Sequence, residues 1–159
     1  MLKPVSGFVV PPGGGTRLRA PVGGPVLIKA GTETTGGTFA LLEVTWPPLE
    51  GPPLHVHARE DEMWWVLEGD WRFRMDDETH RVRPGSFAFV PRGVSHSFQN
   101  VGQTAARILV MFTPSGMDRF FEQQSELAPG RDDPEAYEAI AQNNWMRVTG
   151  PPLAESDSL

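Results

Sequence analysis

A chain of 159 residues carries material for one domain with a single core and a tail, and two full domains are not expected. Its formal charge of −6, from 14 Lys plus Arg against 20 Asp plus Glu with no basic run, argues against nucleic acid or an anionic membrane surface as the main partner. With no cysteine there is no disulfide framework, thiolate metal site or cysteine nucleophile, so any metal must be held by His and carboxylates. The longest apolar runs, such as 7–12 and 108–112, fall far short of a membrane span. The first residues lack the charged, apolar and small-residue succession of a signal peptide, so a cytoplasmic protein is expected.

Gly and Pro supply 33 of the 159 residues, spread along the chain as punctuation between short segments. Stretches 11–15 and 151–159 read as the least ordered, the first a flexible Pro/Gly run and the second a frayed end. Between them, β-branched, aromatic or alternating segments predict strands at 26–28, 38–46, 63–67, 71–75, 79–82, 87–90, 96–98 and 105–112. Trp71, Phe73 and Met75 alternate with Arg72 and Arg74, the pattern of one buried and one solvated face. Asp76-Asp77-Glu78 predicts a hairpin turn, and Glu68-Gly69-Asp70 another before it. Regularly spaced strands with such turns indicate an antiparallel sandwich or barrel. From about residue 114 the period changes. Ser115 with Asp118 has the form of a capping box, with Phe120, Phe121, Gln124 and Leu127 at helical spacing behind it. A second helix is predicted to start at Asp133 as cap with Pro134 in its first turn, placing Tyr137, Ile140 and Ala141 on one face; Ala128-Pro129-Gly130 separates the two. Helices this short need the barrel or a second subunit to pack on.

Four histidines are present, His55, His57, His80 and His96. Residues two apart in an extended segment point to one face, so His55 and His57 can aim both imidazoles at one ion. Glu62 follows five residues after His57, an odd spacing that requires a turn or bulge between Ala58 and Asp61 if it is to reach the same ion. His96 lies about forty residues on and reaches that ion only from a neighbouring strand. Three imidazoles and a carboxylate suit one divalent transition-metal ion (Fe, Mn, Ni, Co, Cu or Zn), with no thiolate to favour the softer ones. A His-x-His pair alone is more often surface or core decoration than a ligand pair. His80, beside Arg81, reads as surface.

The full spacing resembles the cupin family. Its first motif corresponds to His55-Val56-His57, four residues, Glu62, six residues and Gly69; its second to Gly85, five residues, Pro91-Arg92-Gly93, two residues, His96, three residues and Asn100. One position departs. Where the family has Gly six residues before the first His, this chain has Leu49, with Gly51 two residues later, so a differently shaped entering turn is expected. The resemblance implies an all-β fold, a cupin double-stranded β-helix (a jelly-roll-like barrel) with short C-terminal helices. The division is then 1–114 as barrel with N-terminal strands and 115–159 as helical extension and tail. It implies metal ligands at His55, His57, Glu62 and His96. Gly69, Gly85 and Gly93 are expected at tight turns, Pro91 before a loop, and Asn100 bonded to a turn's backbone.

Parity along the strands adds an expected pocket. With Glu62 inward, Trp64 and Val66 follow; with His96 inward, so does Phe98; and Phe73 and Met75 lie on the apolar face of the next hairpin. Trp64, Phe73, Met75 and Phe98 are the expected substrate-pocket residues, an aromatic lining that suits a flat, uncharged small molecule better than a sugar phosphate. Met63, Trp65 and Leu67 face outward and call for cover by helices or a partner, as in a homodimer. Within the cupins, the Pro-Pro-Leu-His-Val-His entry and the helical tail are similar to flavonol (quercetin-type) dioxygenases. That likeness implies a metal-dependent dioxygenase in which Glu62 accepts a substrate hydroxyl proton, its pKa raised by an apolar pocket. A non-oxidative metal-dependent isomerase, decarboxylase or hydrolase, and a non-catalytic small-molecule-binding module, are the alternatives.

Overall fold

The computed structural model describes residues 5–20, 23–127 and 133–156. Two antiparallel sheets face each other. The larger contains β1 (Thr16–Leu18), β2 (Val26–Ala30), β3 (Ala40–Trp46), β10 (Ala106–Thr113), β5 (Asp61–Glu68) and β8 (Phe87–Val90), in that spatial order. The smaller runs β11 (Met146–Pro152), β4 (Pro53–His57), β9 (His96–Asn100), β6 (Trp71–Met75) and β7 (Glu78–Val82). Among the described residues no strand pairing joins one sheet to the other, so the barrel is a flattened sandwich. Among the described residues four helices complete it: α1 (Thr32–Thr35), α2 (Met117–Ser125), α3 (Pro134–Asn143) and α4 (Leu153–Ser156).

Strand alternation builds the interior. Along β10 Ala106, Ile108, Val110 and Phe112 are buried while the residues between them are not. Register sets Val110 opposite Leu42 on one side and Trp64 on the other, and Phe112 opposite Ala40 and Glu62. The facing sheet supplies Trp71, Phe73 and Phe98, with Phe73 opposite Phe98. Their rings meet Trp64 edge-on, at 5.1 Å from Phe73 and 6.2 Å from Phe98. Each such buried aromatic contributes about 2–3 kcal/mol. This plug packs against the histidines, with the Trp64 and His96 rings 5.5 Å apart.

Several sequence expectations are corrected. Glu68-Gly69-Asp70 does not close a hairpin: β5 pairs with β8 and β10, β6 with β7 and β9, so this turn carries the chain between sheets. Gly69 is required there, because its φ is +93° and a Cβ would collide with the Ala106 side chain. Ser115 does not cap α2. The N-cap is Gly116, and Asp118 instead accepts hydrogen bonds from the Thr32 N–H and Oγ1 (both 2.7 Å), tying α2 to α1. Asp133 does cap α3, accepting from the Ala136 N–H at 3.0 Å. The arginine face of β6 is not wholly solvated: Arg72 is buried, donating to Gln99 Oε1 (2.6 Å) and the Leu153 carbonyl (3.0 Å). The stretch from 151 is not frayed through its described part, since β11 continues to Pro152 and α4 buries Leu153 completely against β9. The 11–15 run holds a turn, Gly14 N–H to Pro11 O at 2.9 Å. Ala128-Pro129-Gly130 and residues 157–159 lie outside the described residues.

Candidate metal centre

β4 enters the sandwich through a turn at Leu49 to Gly51. Leu49 adopts a left-handed φ of +65° without being glycine. Gly51 meets the need for close approach, because a Cβ there would run into the Phe98 carbonyl oxygen. Asn100, fully buried, staples the region: its Nδ2 donates to the carbonyls of Trp46 (3.0 Å), Pro47 (3.1 Å) and Thr104 (2.8 Å), and its Oδ1 accepts from the Gly102 N–H (2.9 Å). The second motif also grips the first. Gly93 N–H donates to the His57 carbonyl at 2.8 Å, and the Arg92 guanidinium forks onto both oxygens of Asp61 at 3.0 and 3.1 Å.

On this frame β4 turns His55 and His57 inward, β9 sets His96 directly opposite His55, and β5 brings Glu62 across from the other sheet. The turn between His57 and Asp61 supplies the change of direction that the odd spacing demands. All four side chains are buried, and their ligand atoms lie within 4.8 Å of one another. Glu62 Oε2 is 2.8 Å from His96 Nε2, 2.9 Å from His57 Nε2 and 3.9 Å from His55 Nε2. The His57 contact is close but off the hydrogen-bond direction, leaving that nitrogen without a true partner. His55 Nδ1 is 2.8 Å from the Pro53 carbonyl and His96 Nδ1 is 3.0 Å from that of Val94, so each donates outward and presents Nε2 to the cluster.

Three imidazoles converging on one carboxylate oxygen is a poor hydrogen-bonding arrangement and a good donor set for a cation. Burial and then the neighbouring His96 push His55 down to about 4, so it stays neutral and keeps its lone pair. Burial opposes the charged forms of His96 and Glu62 too. Their mutual attraction wins: His96 is raised, and the imidazoles hold Glu62 well below the usual carboxylate range. That is opposite to the raised Glu62 expected from an apolar pocket, because the histidines are nearer than the apolar wall. Three imidazoles and an ionised carboxylate, brought together in a buried pocket, fit a divalent transition-metal ion.

A cavity of about 460 Å³ opens onto the cluster. Its wall includes His55, His57, Glu62 and Phe98, with Trp46, Val110 and Phe112 from the larger sheet. Among the described residues no Lys or Arg lines it. Of the four expected pocket residues only Phe98 is on the wall; Trp64 and Phe73 belong to the aromatic plug, and Met75 packs partly buried against it. Alternation correctly turns these side chains inward but cannot say which end of the sandwich they reach. The wall residues that strand parity overlooked come from late in the chain, Met117, Phe120 and Phe121 on α2, Tyr137 on α3, and Met146 and Val148 on β11. The helical spacing of Phe120 and Tyr137 was their available signal. Burial, reinforced by the Glu62 charge, raises the Tyr137 phenol, so it remains a proton-bearing donor. His80 is half exposed beside Glu78 and takes no part.

The fold is a two-sheet β-sandwich in which three histidines and a glutamate cluster against a largely apolar cavity. The description "Cupin domain" matches residues 42–112, and the chain belongs to the cupin family. It is similar to protein SchB of Streptomyces halstedii, 30% identical over 93 residues that cover 58% of this chain and 67% of SchB. Quercetin 2,3-dioxygenase of Bacillus subtilis is 29% identical over 89 residues, covering 56% of this chain and 26% of that enzyme. A crystal structure described as a predicted oxalate decarboxylase, from Thermotoga maritima, superposes with a TM-score of 0.58 at 24% identity, over 67% of this chain and 99% of that one, and so supports the fold. The chain spans about half the length of several other curated relatives it matches. No helix among the described residues is long and apolar enough to cross a membrane.

Proposed function

We propose that the protein is a metal-dependent dioxygenase acting on a small, flat, apolar or aromatic molecule that carries a hydroxyl group, as a flavonol does. The observation that carries this reading is the cavity itself, largely apolar and with no Lys or Arg among the described residues of its wall, onto which His55, His57 and Glu62 of the four-residue cluster open. A dianion such as oxalate or a sugar phosphate would call for Arg or Lys on the wall. The likeness to quercetin 2,3-dioxygenase points the same way.

His55, His57, His96 and Glu62 would hold the ion. When bound, a redox-capable divalent ion supplies acidity to a substrate hydroxyl and a meeting point for dioxygen. The chain does the rest. Phe98, Phe112 and Trp46 offer ring faces and edges to orient a planar substrate, and the apolar wall excludes water. Glu62 takes the hydroxyl proton. Because the imidazoles hold its pKa low, it accepts that proton only from a hydroxyl already made acidic at the site. Tyr137 offers a hydrogen bond to a substrate oxygen.

The reading includes a second copy of this chain. Leu41, Met111, Met63 and Phe89 form one cross-strand row on the outer face of the larger sheet, and Leu109, Trp65 and Phe87 the next. Trp65 is 49% exposed, Phe87 59% and Phe89 48%. A contiguous apolar face of this extent calls for burial.

The test is elemental analysis of the purified protein together with oxygen uptake on a flavonol panel, before and after chelation. About one redox-capable ion per chain with chelator-sensitive oxygen uptake is expected; turnover without oxygen consumption would replace the reading with non-oxidative chemistry. In a Glu62→Ala variant reloaded with metal, unchanged turnover would remove Glu62 from proton transfer.

A further inference from the structure

Two of the three histidines in the cluster have their outward nitrogen tied to a backbone carbonyl, and the third does not. His57 Nδ1 is buried with no hydrogen-bond partner. The equivalent carbonyl two residues earlier is that of His55, inside β4 and committed to the sheet register. Phe112 packs edge-on against the His57 ring at 5.5 Å and offers it no acceptor.

A second buried group nearby also lacks a partner. Glu60 lies in the turn between β4 and β5, where a glutamate is ordinarily solvated, yet it is only 3% exposed, and its Oε2 has no hydrogen bond. Its other oxygen faces Gly116, the N-cap of α2, where a side chain would crowd it. A donor without an acceptor and an acceptor without a donor are therefore buried three residues apart, one at the end of β4 and one on the turn that follows it.

We infer that Glu60 is the positioning carboxylate of the metal centre: it accepts the Nδ1–H of His57 through one buried water. That bond would fix the His57 tautomer with Nε2 toward the ion and increase its basicity, as the carbonyls of Pro53 and Val94 do for His55 and His96. The inference rests on the metal-site reading but not on the reaction. It has a distinctive thermodynamic signature. In the metal-free protein Glu60 is a buried carboxylate without a hydrogen bond on one oxygen, so neutral replacements should leave stability unchanged or raised. In the loaded protein the same replacements should weaken metal binding.

The experiment is Co(II) titration of wild type, Glu60→Gln and Glu60→Leu by calorimetry and by the visible absorption of bound Co(II), with thermal unfolding of each chelator-treated protein. Expected for Glu60→Leu is a Co(II) Kd weakened about 10- to 100-fold with an altered absorption band, and for Glu60→Gln, which keeps an acceptor, a smaller loss. Both metal-free variants should melt no lower than wild type. Wild-type affinity and spectrum in both variants would overturn the inference, as would a metal-free midpoint that falls in step with affinity, which would make Glu60 merely structural. Absence of Co(II) binding by wild type would instead overturn the metal reading beneath it.

Discussion

Acidification of the metal-free chain should unfold it by way of His55. Burial, then His96 and His57, bring this imidazole from 6.5 to about 4, against an opposing pull from Glu62. In the unfolded chain His55 takes up a proton as the pH falls through 6.5, while in the folded chain it stays neutral down to about 4. Unfolding therefore binds a proton across that window. Stability is lost at up to ~1.4 kcal/mol per pH unit, about 3 kcal/mol in all, against a typical total of about 5–15 kcal/mol. The neighbours act in other windows. His96 has a raised folded pKa, because Glu62 outweighs burial, so its contribution is fully present below the unfolded value and fades only as pH rises through the folded one. Glu62 is held low and adds its own loss only below the ordinary carboxylate range. In the interval between, His55 drives the loss, opposed in part by Glu60 and Glu122, which burial raises so that they take up protons earlier in the folded chain. Urea unfolding of chelator-treated protein in small pH steps, with His55→Asn alongside, measures the slope directly. Wild type should lose stability across the window and His55→Asn should be flatter. Equal slopes in the two proteins would refute the assignment of that proton to His55.

Four further outcomes follow from the same geometry. Asn100→Ala removes three donations and one acceptance from a fully buried staple and should cost about 3 kcal/mol in urea unfolding, with metal affinity falling because the entry to β4 loosens. Leu49→Gly relieves a left-handed backbone on a half-exposed residue and should raise stability by about 0.5–1 kcal/mol, the strain relief exceeding the entropy cost of glycine. Tyr137→Phe should raise KM for a hydroxylated aromatic more than it lowers kcat, with Co(II) affinity unchanged. Trp65→Lys should shift sedimentation toward the monomer while leaving the metal content of each chain as it was.

The candidate centre was legible in part from local geometry, since the His-x-His step of two follows from the pleat and the turn glycines from backbone sterics, while the full set with Glu62 and His96 followed from the resemblance to the cupin family. Where reasoning from local pattern failed, a distant segment had intervened. Arg72 alternates like a surface residue, but α4, more than eighty positions later, covers it and supplies the Leu153 carbonyl. Asp118 looks like a capping residue, but Thr32 from the other end of the chain captures it. Trp64 and Phe73 face inward as parity requires, yet they form the plug and not the cavity wall, because depth along the sandwich depends on how the two sheets are staggered.

The sequence by itself determined the all-β class, most of the strands and the residue types available to hold an ion, since periodicity and turn chemistry are local properties of the chain. Only the tertiary structure decided that β5 and β6 belong to opposite sheets, that the late helices and β11 wall the cavity, and that three imidazoles draw Glu62 below the usual carboxylate range. Each of these depends on which side chains meet across long sequence separations, and burial and electrostatics act over those meetings, not along the chain.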